Sequence, residues 1–329
     1  MTEFLIAAFL GKPVWMWLGF LSIVLVLLVL DLGVLHRDTR EIGVRESLAL
    51  SAVYVSLGVC FGGLVWWQLG SGSAIDYLTG FAVEKTLAMD NVFVIATIFS
   101  FFAIPRLYQH RVLFWGILGV IVLRAIMIGL GAPLVARFSW VLYVLAVFLI
   151  LTGIKMLLFG DAPADLSKNW VLVWLRRRFN VSDELHGDAF FITRPDPKTG
   201  HPALWITPLF LALVLIELAD VIFAVDSIPA IFLITTDPYI VYTSNIFAIL
   251  GLRALYFALA AMVERFRYLK LALSILLIFI GSKVFVADLL GLEKFPPLVS
   301  LGATLGILGT GIAYSLWMTR TDPKEGTGP

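Results

Sequence analysis

The sequence predicts an all-α polytopic membrane protein of about nine transmembrane helices. Three observations carry that expectation. The 329-residue chain is 60% hydrophobic and only 14% charged, against about 25% charge in soluble domains. Its mean hydropathy is +0.96. Its apolar runs reach about twenty residues, the length that crosses a bilayer, and they are continuous rather than alternating, which argues against a β-barrel. The formal net charge of +1 gives no electrostatic footprint for nucleic acid, and the single Cys60 excludes an intrachain disulfide.

The expected spans are 14–35, 48–70, 75–103, 111–132, 138–159, 205–235, 239–262, 268–290 and 296–318. The first two form a peripheral amino-terminal region, 1–70. The start carries Glu3 and no basic segment, so no cleavable signal peptide is expected and the first span acts as its own insertion signal. Three spans make up 75–159 and three more make up 205–290. Between them lies the one long connection, 160–204. Within it, Asn169 to Asn180 reads as an interfacial amphipathic helix, with Trp170 and Trp174 ahead of Arg176, Arg177 and Arg178. Phe190 to Thr193 and Ala203 to Thr207 flank a Pro-Asp-Pro turn and read as a short hairpin. The polar tail, 319–329, is expected to be disordered. No Walker-type loop occurs, so nothing points to ATP-driven transport.

Orientation follows from the Lys and Arg in the loops. One set of loops holds sixteen, among them Arg37, Arg106, Arg176 and Arg265; the opposite set holds three, Lys12, Arg137 and Lys294. The amino terminus is therefore expected outside and the carboxyl terminus in the cytoplasm of the bacterial inner membrane, as an odd number of spans requires.

Two acidic motifs interrupt the apolar spans: Glu84-Lys85-Thr86-Leu87-Ala88-Met89-Asp90-Asn91, and Glu217-Leu218-Ala219-Asp220 continuing to Asp226-Ser227. Five carboxylates at the bilayer centre cost on the order of 12–18 kcal/mol if unpaired, so such residues face a cavity, a partner charge or an ion. Five bases also fall inside spans: Lys85, Arg124, Lys155, Arg253 and Lys283. A purely structural ion-pair network is the plain alternative. Arg124, Lys155, Arg253 and Lys283 are candidate charge partners of the acids, with helix anchoring as their favoured role.

The third to fifth spans resemble the sixth to eighth. Glu84 and Asp90 are six apart, as are Asp220 and Asp226; an Arg follows in each half, Arg124 and Arg253; then a Lys after a Gly, in Gly153-Ile154-Lys155 and Gly281-Ser282-Lys283. The third span runs inward and the sixth outward, so the halves form an inverted repeat, a transporter signature with its site near the midplane.

The candidate metal ligands are Glu84, Asp90, Asn91, Glu217, Asp220 and Asp226, with the Ser227 hydroxyl and backbone carbonyls. Pro229 is expected to break the sixth helix, free carbonyls near Asp226 and bring Asp226 to Glu217 and Asp220. All four His lie in loops and Cys60 in another span, so an oxygen site for manganese, magnesium or calcium is favoured over zinc or copper. Met89 is the one nearby soft group, and packing is its plainer role. Close carboxylates cannot all stay ionised without a cation, so metal and proton compete for one cluster and exchange is expected. The expectation collapses if Asp90 and Asp226 lie apart, each tied off by its own base.

Glu84 to Val94 and Glu217 to Ile231 resemble the paired signatures of the TerC family, most nearly its Alx-type, alkaline-responsive branch. The resemblance extends through Thr236-Asp237-Pro238, Thr243 to Arg253 and Gly281-Ser282-Lys283. It implies export of manganese(II) from the cytoplasm, with Glu84, Asp90, Glu217, Asp220 and Asp226 as site acids and Asn91 matching the motif. Direction comes from the resemblance alone. An anionic cluster suits tellurite poorly. The rivals are a calcium or magnesium–proton exchanger and a membrane-assembly partner of the secretion machinery. An intramembrane aspartyl protease lacks its Gly-x-Gly-Asp here, so no enzymatic activity or cofactor is expected.

Overall fold

The computed structural model describes residues 5–30, 44–159, 169–195, 200–259, 269–292 and 295–321. The polar tail lies almost wholly outside them. In chain order the elements are β1 (Ala8–Phe9), β2 (Lys12–Pro13), α1 (Val14–Leu30), α2 (Val44–Phe101), α3 (Arg106–Arg137), α4 (Trp140–Phe159), α5 (Trp170–Arg178), β3 (Asn180–Val181), β4 (Phe191–Pro195), β5 (Pro202–Ile206), α6 (Pro208–Phe232), α7 (Pro238–Leu250), α8 (Leu252–Leu259), α9 (Leu269–Leu289) and α10 (Pro297–Thr321). Seven stretches are long and apolar enough to cross a membrane: Arg45–Phe101, Arg106–Arg137, Trp140–Leu158, Pro208–Phe232, Pro238–Phe257, Leu269–Leu289 and Pro297–Thr319. The protein is an all-helical, multi-pass membrane protein, and its few strands lie outside these stretches.

The described residues fall into two compact units. One comprises Met1–Gly43, Asn91–Ile126 and Ala162–Ala224; the other Val44–Asp90, Met127–Asp161 and Val225–Pro329.

In the first unit, β1 and β2 pair antiparallel across Leu10 and Gly11, both with positive φ (49° and 79°), the backbone a tight hairpin demands. Trp17 of α1 closes this turn, its indole N–H donating to the Phe9 carbonyl at 2.9 Å. The long connection holds α5 and a three-stranded sheet of order β3-β5-β4, in which β4 and β5 are antiparallel and β3 and β5 parallel. Asn169 caps α5, its side chain accepting from the Val171 N–H at 3.0 Å. Arg111 at the start of α3 pairs with Asp188 and lies 5.3 Å above the Phe190 ring, fastening the connection to that helix.

In the second unit, α2 differs from expectation. The loop expected between 70 and 75 does not form. The helix breaks at one residue, Gly70 (φ 86°, ψ 174°), and resumes at once; a backbone of that kind belongs to glycine. The two arms then lie against each other. The Tyr77 hydroxyl donates to the Gly58 carbonyl at 2.9 Å, and a methyl on Gly58 would come within 2.6 Å of the Phe81 ring. Stretched out, a 57-residue helix would measure about 85 Å, far more than a bilayer needs.

The span expected at 239–262 also differs: α7 ends at Gly251 and α8 begins at once. Residues of α7 such as Thr243, Ser244 and Asn245 are 0% exposed, so this helix is sheathed by protein, which is where polar side chains survive in a span. Helices α4 and α9 cross closely through glycine. A methyl on Gly153 would lie 2.7 Å from the Ser274 carbonyl oxygen, and one on Gly281 would lie 2.6 Å from that of Ala146. Small residues admit such contact between membrane helices. Around the crossing lies an apolar core that includes Ala146, Leu149, Ala230, Leu276, Leu277 and Ile280.

Candidate ion-binding residues

In the first unit, the site is a seam between α3 and α6. Glu217 and Asp220 are three apart on α6 and therefore neighbours on one face. Across from them α3 presents Gly116, Gly119 and Arg124. The Arg124 guanidinium grips Asp220 at two points, Nη2 to Oδ1 at 3.2 Å and Nε to Oδ2 at 3.4 Å. The side chains are 1% and 7% exposed. A forked, charge-assisted pair is the arrangement a buried carboxylate requires.

Glu217 is treated differently. Its carboxyl group lies flat on α3 at Gly119: a methyl there would sit 2.5 Å from Oε2 and closer still to Cδ and Oε1. Oε2 is buried and accepts no hydrogen bond from any described residue, and Asp220 is near enough to repel the Glu217 charge. Asn91, 6% exposed, likewise has a buried Oδ1 with no donor among the described residues. A buried acceptor left without a donor costs about 1–3 kcal/mol, more when charged. Both signature motifs thus contribute an uncompensated oxygen to this unit.

The second unit holds the remaining described positions. Glu84 is 1% exposed. Its neighbour Lys85 donates from Nζ to the Ala248 carbonyl at 3.2 Å, beside Gly251, where a methyl would come within 2.7 Å of Nζ. Asp226 accepts a hydrogen bond from the Thr152 hydroxyl and feels the Lys155 charge. Lys283, 5% exposed, donates to the Ser300 hydroxyl at 3.3 Å and lines a cavity of about 450 Å³ with Asp76, Asp237 and Asp288. The side chains of Asp90 and Arg253 lie outside the described residues.

One expectation is corrected. Pro229 does not break α6, which runs on to Phe232. Proline removes one backbone bond, but a membrane helix tolerates it where neighbours compensate. Along a regular helix the nine residues from Glu217 to Asp226 advance about 900°, which is half a turn off. Asp226 therefore does not join the Glu217 face; it has Thr152 as its hydrogen-bond partner and Lys155 as a nearby charge instead. Among the described residues, no three His, Cys, Asp or Glu side chains gather to hold a metal ion. Of the candidate charge partners, Arg124 pairs with Asp220, while Lys155 acts on Asp226 as a nearby charge. Gly119, Gly251 and Thr152 stand in the repeat segments, but their roles and that of Lys85 were not read from sequence. The legible signal for Gly119 was Gly116-Ile117-Leu118-Gly119 in the span that also carries Arg124.

The chain belongs to the integral membrane protein TerC family, whose sequence profile matches residues 69–323. It is 46% identical over 315 residues to an uncharacterized membrane protein, STKORF319, of Myxococcus xanthus, covering 96% of each chain. It is 46% identical over 300 residues to an uncharacterized membrane protein of Rickettsia bellii, covering 91% of this chain and 96% of that one. It is 42% identical over 324 residues to Alx of Escherichia coli (strain K12), by name a candidate membrane-bound redox modulator, covering 96% and 98%. No solved structure matches the chain.

Proposed function

We propose that the protein is a secondary transporter that exports manganese(II) across the bacterial cytoplasmic membrane in exchange for protons. The observation that carries this reading is two buried oxygens that find no donor among the described residues, Glu217 Oε2 and Asn91 Oδ1. Oxygen ligands of this kind suit a hard or borderline divalent cation. The resemblance adds Glu84, Asp90, Asp220 and Asp226 as individual candidate ligands, with Asp220 positioned by Arg124. Manganese is preferred to calcium or magnesium, and export to import, through the family resemblance. The amino terminus is assigned to the outside and the carboxyl terminus to the cytoplasm from the loop charges.

The crossing of α4 and α9 supports the inverted repeat. Gly153 meets Ser274 and Ile278; Gly281 meets Ala146 and Ile150. Each glycine thus touches the residues seven and three positions before the other glycine. The contact is its own mirror under a two-fold axis across the helix pair, and partner numbers fall on one helix as they rise on the other. Repeats inverted in the membrane meet in this way.

The redox name of the Escherichia coli relative suggests a second role, but one cysteine, exposed Cys60, cannot cycle between a dithiol and an intrachain disulfide. A role assisting the secretion machinery predicts normal cellular manganese in a deletion strain. The deciding experiment compares manganese content in cells expressing the wild type, Asp90→Asn, Glu217→Gln and Asp226→Asn, with proteoliposome uptake at varied internal and external pH. Loss of export in the variants and pH-dependent flux are expected. Equal metal content in all four strains removes the function, and flux indifferent to pH removes the exchange.

A further inference from the structure

We propose that Gly119 is the positioning residue for the Glu217 carboxylate, an inference that rests on Glu217 being an ion ligand. Three observations on α3 and α6 combine. Glu217 has a buried oxygen with no donor among the described residues, so no described side chain or backbone N–H holds that end of the group. Its carboxyl atoms occupy the space in which a side chain on Gly119 would stand, with Cδ, Oε1 and Oε2 all within 2.5 Å of the missing methyl. Real side chains do not approach so closely, so α3 meets the carboxylate with bare backbone and fixes it by shape. Gly116, one turn earlier, is a spectator: a methyl there would find its nearest neighbour at 3.8 Å, an ordinary contact. The neighbouring carboxylate, Asp220, is located by the Arg124 fork. One acid is thus placed by charge and the other by a glycine. Among the described residues the charged neighbour of Glu217 is Asp220 on its own helix, and the Arg124 guanidinium of α3 is turned to Asp220.

This arrangement makes Gly119 a determinant of ion affinity, although it offers no ligand atom. A methyl group must push the carboxylate off α3. Groups that orient a metal ligand are worth about 10–100-fold in affinity. The same methyl should otherwise help, because alanine is the better helix former.

The test is a cycle of Gly119→Ala, Glu217→Asp and the double variant, with Gly116→Ala as control. Each is purified in detergent and reconstituted. Manganese uptake is read as KM and maximal rate, and melting is read without manganese. Gly119→Ala is expected to raise KM about 10–100-fold with a smaller change in maximal rate. Glu217→Asp, one methylene shorter, makes room, so the double variant should bind manganese better than Gly119→Ala alone. Gly116→Ala should match the wild type. If Gly119→Ala does not accumulate, recovery of folded protein in the double variant is the supporting result. Independent effects of the two substitutions on both KM and melting would overturn the proposal, as would equal damage from Gly116→Ala. Should the wild type move no manganese, the melting cycle still decides. Coupling there keeps the glycine seat while the transport reading falls.

Discussion

Two seams in this protein set a charge against a glycine, and they use opposite signs. Between α3 and α6 the acid Glu217 lies on Gly119; in the other unit the base Lys85 lies against Gly251. The glycine serves the same purpose in both, letting a charged group reach a backbone that a Cβ would cover. The outcomes differ. Lys85 finds an acceptor, the Ala248 carbonyl, where α7 ends and its last carbonyls lack helical donors. A cation there also meets the negative end of the helix dipole. That charge is absorbed by the fold. Glu217 Oε2 finds no donor among the described residues, and the Arg124 guanidinium on the facing helix is engaged by Asp220. The comparison teaches where unspent electrostatic demand resides: on Glu217, and not on the acid one turn away or on the base in the other seam.

The largest test of this contrast removes Arg124. Asp220 is then a buried charge with no guanidinium, and breaking a buried pair from one side costs about 3–5 kcal/mol. Arg124→Gln should lower both the amount of protein in the membrane and its melting temperature in detergent. Asp220→Asn added to Arg124→Gln should return much of the loss, because it removes the stranded charge. A silent Arg124→Gln would mean that Asp220 is not held by charge, and the distinction between the two acids would dissolve.

Next in size is Gly251→Ala. The methyl must displace the Lys85 ammonium at 2.7 Å and the Tyr54 Cβ at 3.0 Å, and overpacking of this kind costs about 1–3 kcal/mol. Part of that should vanish with Lys85→Ala, which empties the contact at Nζ. Thermal melting of the four proteins checks it. If Lys85→Ala gives no relief, Tyr54 alone sets the need for glycine, and the likeness of the two seams is superficial.

Much of this was legible in the chain. Seven long apolar stretches followed from the runs where nine spans were expected, since 48–70 and 75–103 form one broken helix and α1, at Val14–Leu30, is too short to count among them; α5 and the β4–β5 hairpin followed from local pattern alone. The intramembrane charges announced themselves because they are costly there. What escaped were the events decided by one residue or by a neighbour distant in sequence. Gly70 turns α2 back without a loop, since a single positive φ does what four residues were expected to do. Pro229 looked like a break, yet α6 continues, because the tertiary setting decides whether a lost backbone bond matters. The five acids and five bases could be counted but not paired: that Arg124 reaches Asp220, 96 positions along, is a matter of helix packing. The Gly153 and Gly281 positions were read as markers of a repeat, and only their packing shows what the glycines do. Gly153→Ala and Gly281→Ala should each cost about 1–3 kcal/mol, similar to one another, and combine non-additively because they share one interface. Unequal costs, read by melting, would weaken the two-fold reading of the crossing.

The smallest effect is expected outside both seams, at α5. Its inner face is Leu172 and Leu175, at 3% and 6% exposure, while Trp170 and Trp174 stand 73% and 53% exposed. Asn169 starts the helix by accepting from the Val171 N–H, and Asn169→Ala should cost about 1 kcal/mol. In nine residues that is enough to loosen the helix, because short helices are marginal without their caps and contacts. The loss should appear as faster amide hydrogen exchange confined to α5, with α3 and α6 unchanged and manganese uptake as in the wild type. Neither seam draws a side chain from α5, so a change in uptake KM would show that the connection communicates with Glu217. That result would replace the contrast between two seams with a coupling among three regions.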